Sequence, residues 1–347
     1  MGCPLTTSDG CPKRGSACGR STRRRGSPEP KRDRIETRDF GDTFRRVLDG
    51  RPPTRRALLI ASATWLAAGA SGCKRTATEG AAAPAPASRT PAPHGRSLPL
   101  PPRSPKAMTG AAFVEAALAL RPAGREKLVV DELLAGNLPP FERLLAEVAL
   151  ADGSHTGRVW VTPDYLAIGS DEDWVRVPMT IRSAKAVARA ARCVLPTKKL
   201  VDTVHEAAQV RISSPYMPPG RGMASVEYFA AHHAAIEDRR ARAGGALGDL
   251  VSGPKKDLVL SRRSQSEPGR TPIYGWFTDD GHAIQGLSLL HDDRYLDYAH
   301  GVRLVLRAME VDGEQADLLD VLADRERAAL LSDEGAFDMR EAWARGW

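Results

Sequence analysis

Leu144-Leu145-Ala146-Glu147-Val148-Ala149-Leu150-Ala151, then Asp152-Gly153, then Thr156-Gly157-Arg158-Val159-Trp160-Val161, reads as two strands joined by a tight turn. The turn needs a positive φ, which Gly153 adopts without steric cost. Tyr165 to Ile168 and Trp174 to Val177 add two short strands beyond the hairpin. Ahead of it, Ala111 to Arg121 and Glu126 to Ala135 read as helices, the second stopping at Gly136. Behind it, Thr180 is placed to cap a helix reaching Arg192. Pro196 suits the first turn of another helix, with Leu200, Val201, Val204 and Ala208 on one face. Ser225 opens a longer helix that ends at Gly244-Gly245. Strands return at Leu258 to Leu260, at Ile273 to Phe277 before a turn at Asp279-Asp280-Gly281, and at Gly301 to Val311 before Asp312-Gly313. The pattern predicts a single α+β domain over residues 108–347. Its helices lie in the middle and a largely antiparallel sheet lies mostly after residue 255.

Charge separates that domain from what precedes it. The 347-residue chain carries a formal charge of +7. Residues 1–107 hold 21 Lys+Arg against 8 Asp+Glu, so residues 108–347 hold 29 against 35. A nucleic-acid footprint needs a basic face on the folded part, and this one is mildly acidic, so no nucleic-acid partner is expected. Arg outnumbers Lys 40 to 10 and Asn137 stands as the sole asparagine, a bias expected of a GC-rich genome.

Residues 1–53 combine Arg, Gly, Pro and Ser with almost no apolar periodicity, and are expected to be a disordered basic extension or the product of a start assigned too far upstream. Over residues 54–72, the pair Arg55-Arg56 stands before an uncharged run from Ala57 to Ser71, and Ala70-Ser71-Gly72 leads into Cys73. Charged, apolar and small residues in that order make an export signal, and the run is shorter than the ~20 apolar residues that span a bilayer. The arginine pair with Leu58-Leu59 resembles a twin-arginine signal peptide, and Ala70 to Cys73 resembles the lipobox of bacterial lipoproteins. The resemblance implies cleavage before Cys73, lipidation of its thiol, and a membrane anchor on the periplasmic or cell-surface side. Residues 73–107 are rich in Ala and Pro, an extended tether at ~3 Å per residue. Cys3, Cys11 and Cys18 precede the signal, so Cys193 is left without an internal disulfide partner.

The densest run of reactive side chains is His291-Asp292-Asp293-Arg294-Tyr295-Leu296-Asp297-Tyr298-Ala299-His300-Gly301, which leads into a strand at Val302 to Leu306. A histidine at a strand's start can face an open cleft, and Asp297 is near enough in sequence to orient its imidazole. Cys193 precedes the helix opened by Pro196, where a helix dipole would favour a thiolate. Lys255-Lys256-Asp257 precedes a strand. Tyr274-Gly275-Trp276 lies within one and offers two aromatics beside a bare glycine, a platform for sugar or peptide stacking. His233 shares a helix face with Val226, Phe229, Ala230 and Ile236, one turn before Glu237, the setting of a packed histidine. His205 to Gln209 lacks the second histidine of a zinc-protease helix, and Ser252 and Lys255 are separated by helix-breaking Gly253-Pro254. No metal site and no cofactor are expected. Without a phosphate-binding glycine loop or dinucleotide fingerprint, no nucleotide is expected either.

A thiol upstream of a histidine on a later strand resembles the chain order of papain-like cysteine hydrolases, among them peptidoglycan endopeptidases and amidases. That resemblance implies Cys193 as nucleophile, His300 as general base and Asp297 as the orienting acid. His291, Lys256, Asp257, Tyr274, Trp276 and Tyr295 would contact substrate. The Asp-Cys-Ser sequence of the peptidoglycan endopeptidases is missing. Leu195 to Lys199, Lys255 to Asp257, Tyr274 to Trp276 and Tyr295 to Gly301 are similar to segments of an uncharacterised family of exported bacterial proteins, which implies that these segments converge. The functions expected are three: a cysteine-dependent hydrolase of cell-wall peptide or amide bonds, a non-catalytic glycan- or peptide-binding lipoprotein, and a glycosidase using two of Asp257, Asp297 and Glu237.

Overall fold

A computed structural model describes residues 96–345. The basic extension, the signal segment, Cys73 and the tether as far as residue 95 lie outside the described residues. The end of the tether packs on the domain: Ser97 bridges to Leu144, and Leu98 is buried. Ordered packing therefore begins before Met108, because Leu98 supplies an apolar side chain where the alanine and proline run gives out.

The opening hairpin forms with the expected partners, β1 (Ala146–Ala151) and β2 (Thr156–Val161) pairing from Ala146 with Val161 to Ala151 with Thr156. β3 (Ala167–Gly169) and β4 (Trp174–Arg176) form a second small antiparallel pair. Two helices precede the hairpin, α1 (Gly110–Leu118), capped by Thr109, and α2 (Pro122–Leu134), which starts at Pro122. Thr180 accepts from Ser183 N and caps α3 (Ile181–Ala190) as its sequence position predicts. β5 (Cys193–Val194) follows. The cap of α4 (Lys198–Ala207) is Thr197, with Pro196 outside the helix, because the Thr197 hydroxyl reaches Leu200 N and a proline cannot do so.

The chain continues through β6 (Val210–Arg211), α5 (Val226–Arg242), β7 (Val251–Ser252), β8 (Lys256–Leu258), β9 (Arg270–Phe277) and β10 (Ala283–Asp292). It closes with β11 (His300–Gly301), β12 (Val305–Leu306), β13 (Ala308–Val311), β14 (Glu314–Asp317), α6 (Leu318–Ala323) and α7 (Arg340–Arg345). The fold is α+β. The larger sheet runs β14-β13-β2-β12-β5 with β1 on the other edge of β2, so its centre lies well before residue 255. β2 takes that place because it is inward-facing and fully covered at Val159 and Val161. The expected strand from Gly301 to Val311 is broken into three pieces, of which β12 and β13 share one edge of β2.

The smaller sheet runs β10-β9-β8-β11, and its last pair is parallel, with His300 opposite Lys256 and Gly301 opposite Asp257. That register is what joins two segments 44 positions apart in sequence into one site. Leu166, Ile168, Met179, Leu195, Leu200, Val302 and Leu304 are all fully buried in the main core between these layers. No helix among the described residues is long and apolar enough to cross a membrane.

Candidate functional site

Lys256 reaches from β8 to the turn that precedes β11. Its Nζ lies 3.5 Å from Asp297 Oδ2 and 4.7 Å from the centre of the Trp276 ring. Tyr295 donates its hydroxyl to the same Asp297 oxygen at 3.2 Å, while Asp297 Oδ1 accepts from Ala299 N at 2.8 Å. Burial opposes ionisation of Asp297, yet His300, Lys256 and the two donors together hold its carboxyl below the ordinary value. The ring of Tyr295 stacks on His291 at 3.7 Å and 9°, and its edge meets His300 at 5.6 Å. Trp276 has Tyr216 beside it at 6.0 Å. The result is a ring of half-exposed side chains, His291, Tyr295, Lys256, Trp276 and Tyr216, over a buried floor of Asp297 and His300.

His300 is fully buried, and neither ring nitrogen meets a partner among the described residues. Burial lowers its pKa to about 4, Lys256, His291 and Lys255 push the same way, and Asp297 opposes them. The imidazole is therefore neutral above about pH 4, and its nearest carboxylate affects it through charge alone. The expected orienting bond from Asp297 is absent, since that carboxylate is already taken by Tyr295, Lys256 and Ala299. A proton-NMR titration is expected to show the His300 ring resonances unchanged from pH 8 to 5, both above the value of about 4. A full titration step near the ordinary value of ~6.5 would contradict this environment.

Backbone geometry fixes the Trp276 ring. Gly275 has φ 105 and Trp276 φ 61, so the backbone of β9 leaves the extended region there although its register with β8 is unbroken, and Trp276 N donates to Lys255 O at 3.1 Å. A bulky residue in the left-handed region is an outlier whose strain the surroundings must hold. These two dihedrals also divide the two aromatics expected to form one platform. Tyr274 turns into a cluster with Val201, Val259 and Phe277, donating its hydroxyl to Asp202 Oδ1 at 2.7 Å. Trp276 packs beside Met217, Phe229 and Tyr298. Alternation along a flat strand predicts a shared face, and the two positive φ angles cancel it.

Asp257 also lies apart from the ring. Its Oδ2 accepts from Tyr165 at 2.9 Å, its Oδ1 is 4.0 Å from Arg303 Nε, and burial pushes its carboxyl up to about 7. Gly301 sits against this contact: a Cβ there would stand 2.4 Å from Tyr165 Cδ1 and 2.8 Å from Lys255 Cβ. Gly301→Ala is expected to cost about 1–3 kcal/mol through overpacking, measured by urea denaturation. An unchanged midpoint would mean that Tyr165 yields freely.

Cys193 occupies a different setting. It belongs to β5 in the larger sheet, is fully buried in the main core, and its Sγ lies 3.1 Å from Ala191 O. Burial pushes the thiol up to about 12. A nucleophile needs a thiolate and access, and this site denies both. The helix dipole does not act because Cys193 is held within β5, four residues ahead of the Thr197 cap of α4. Folded protein is expected to react with a disulfide reagent at pH 8 only at the rate of unfolding. Rapid modification under native conditions would sink this reading.

His233 is a packed side chain, as its helix face predicts, but the bond expected between it and Glu237 is not made, because both turn to Arg176. Arg176 Nη1 lies 3.2 Å from His233 Nδ1 and 2.7 Å from Glu237 Oε1, while Nε and Nη2 donate to Asp164 at 2.9 and 2.6 Å. Lys255 donates to Tyr298 O at 2.8 Å beside His232, and burial lowers its ammonium to about 7. Arg303, Tyr216 and Arg176 carry no local sequence signal, since arginine is abundant throughout the chain. No group of three His, Cys, Asp or Glu among the described residues is arranged to hold a metal. Comparison with protein-family models, curated proteins and solved structures returns no significant match.

Proposed function

We propose that the chain is an exported lipoprotein, anchored through Cys73, whose domain binds a cell-wall glycan or peptide in the ring around Lys256. The observation that carries this reading is Trp276, held at φ 61 with the Lys256 ammonium 4.7 Å from its ring. An aromatic ring with a cation over one face and a carboxylate beyond it leaves its other face for a ligand with apolar ring faces and polar rims. Sugar rings and peptide stems both have that form. His291 and Tyr295 extend the face, and Asp297 and His300 supply polar atoms beneath it. A binder is preferred to a thiol hydrolase because Cys193 is closed off in the core. Co-sedimentation of the full chain with purified peptidoglycan tests the proposal. Saturable binding, competed by soluble glycan oligomers or by stem peptides, supports it and names the half recognised. Absence of binding to intact and to digested wall material overturns it.

A glycosidase is the weaker reading, because it needs two carboxylates across an open cleft and Asp257 and Asp297 are each almost wholly buried. That reading requires release of reducing ends from glycan, lost in Asp257→Asn. The anchor is tested apart from either, since Cys73→Ala is expected to move the chain from the membrane to the soluble fraction. Retention there would count against lipidation.

A further inference from the structure

A cavity of about 70 Å³ opens between α3, the start of β9 and the turn after β10. Arg182, Lys185 and Arg189 line it at the three- and four-residue spacing that places them on one helix face. Arg270 faces them from β9, and Asp293 is the one carboxylate on the wall. Four cations therefore meet a single anion. A position for a water-sized group takes ~10–15 Å³. The cavity thus has room for roughly five heavy atoms, the count of a tetrahedral oxyanion.

The partners already present leave donors over. Arg182 pairs with Asp293 at 2.6 Å, Arg270 Nη1 donates to Leu290 O at 3.1 Å, and Arg189 Nη1 donates to Trp343 O at 3.4 Å. A guanidinium has five N–H donors in a planar fork, and these backbone contacts each use one. The two carbonyl bonds fix where Arg270 and Arg189 point, so the forks are placed before any ligand arrives. Lys185 is the least expected member, an amine only 7% exposed among three arginines. Burial lowers its pKa to about 7, Asp293 opposes the fall and Arg189 adds to it. An ammonium kept in such company is stabilised by an anion brought between the cations.

We propose that this pocket binds a phosphate-class oxyanion, either the free ion or the phosphate of a polymer or lipid headgroup. It is a site separate from the ring around Lys256, and its existence does not depend on what that ring binds. The two share one segment, because Asp293 lies between His291 and Tyr295. Bound anion raises the proton affinity of Lys185, since an anion between the cations favours the charged amine.

Calorimetric titration of inorganic phosphate into the full chain at low ionic strength is the test, with matched chloride as control. Saturable binding of one ion per chain is expected. Lys185→Gln and Arg270→Gln are each expected to weaken it by about tenfold or more, the scale of a hydrogen bond to a charged group. Circular dichroism of both variants checks that the fold is kept, and Arg189→Gln supplies a third variant whose backbone contact is long. Vesicles with and without phosphatidylglycerol, mixed with the Cys73→Ala chain, separate the sources. Phosphate and anionic vesicles both lost on substitution assign a headgroup site, whereas phosphate binding without vesicle binding assigns the free ion or a soluble phosphopolymer. No saturable heat at millimolar phosphate overturns the proposal. So does phosphate or vesicle binding that survives all three substitutions.

Discussion

Asp164→Ala is expected to lower the stability of the domain by about 3–5 kcal/mol, the loss seen when one partner of a buried ion pair is removed. Asp164 and Arg176 are both almost fully buried, and two parallel bonds of 2.9 and 2.6 Å join them. Without the carboxylate, Arg176 keeps Glu237, the His233 ring nitrogen and the Trp174 face to offset a charge that water cannot reach. Burial and the Arg176 charge lower the His233 pKa to about 3, so that ring stays neutral and adds no second cation. Urea denaturation of wild type and variant measures the loss. Replacing both partners with apolar residues of similar volume, Asp164→Leu with Arg176→Met, is expected to recover part of it, because the two charges leave together while Glu237 loses Arg176 and keeps Arg240. A loss of under about 1 kcal/mol in the single variant would mean that Arg176 finds another partner or a path to solvent.

Trp276→Ala is expected to weaken binding to wall material by about 30-fold or more, the scale of an interface hot spot of at least ~2 kcal/mol. The ring lies between Lys256 and Tyr216, so its loss removes the stacking face and the cation's aromatic support together. Trp276→Gly separates binding from strain. Both variants lose the ring, but glycine adopts φ 61 without the ~1–2 kcal/mol that a Cβ costs in the left-handed region. Equal loss of binding with the glycine variant the more stable of the two is the expected pattern. Binding that persists in either one, at wild-type affinity, would remove Trp276 from the site.

Much of the site was legible as composition and little of it as geometry. The run from His291 to Gly301 announces itself by density of His, Asp and Tyr, and the structure brings His291, Tyr295, Asp297 and His300 together. Lys256 joins them because β8 and β11 pair in parallel, a pairing that no local pattern specifies. Tyr216 joins from the segment between β6 and α5, where Pro215 and Pro218 hide any periodicity. Tyr274 leaves for Asp202 because Gly275 and Trp276 both take positive φ, which alternation cannot foresee. Asp297 carries no bond to the His300 ring because Tyr295, Lys256 and Ala299 reach it first.

By itself, the sequence determined the helices before residue 245, the hairpin of β1 and β2, many of the caps and turns, and that the class is α+β, while β10, β14, α6 and α7 went unread. Those are local outcomes: Thr180 and Ser225 cap their own helices, and Gly153 and Gly313 take the positive φ of their own turns. Tertiary structure decided which strands adjoin, that β2 stands at the centre, and which side chains lose water. Cys193 shows the reason. Residue type makes it a possible nucleophile, but its thiol pKa is set by atoms brought to it from distant parts of the chain, and these bury it. Burial and charge pairing depend on pairs far apart in sequence, so they exist only once the layers have closed.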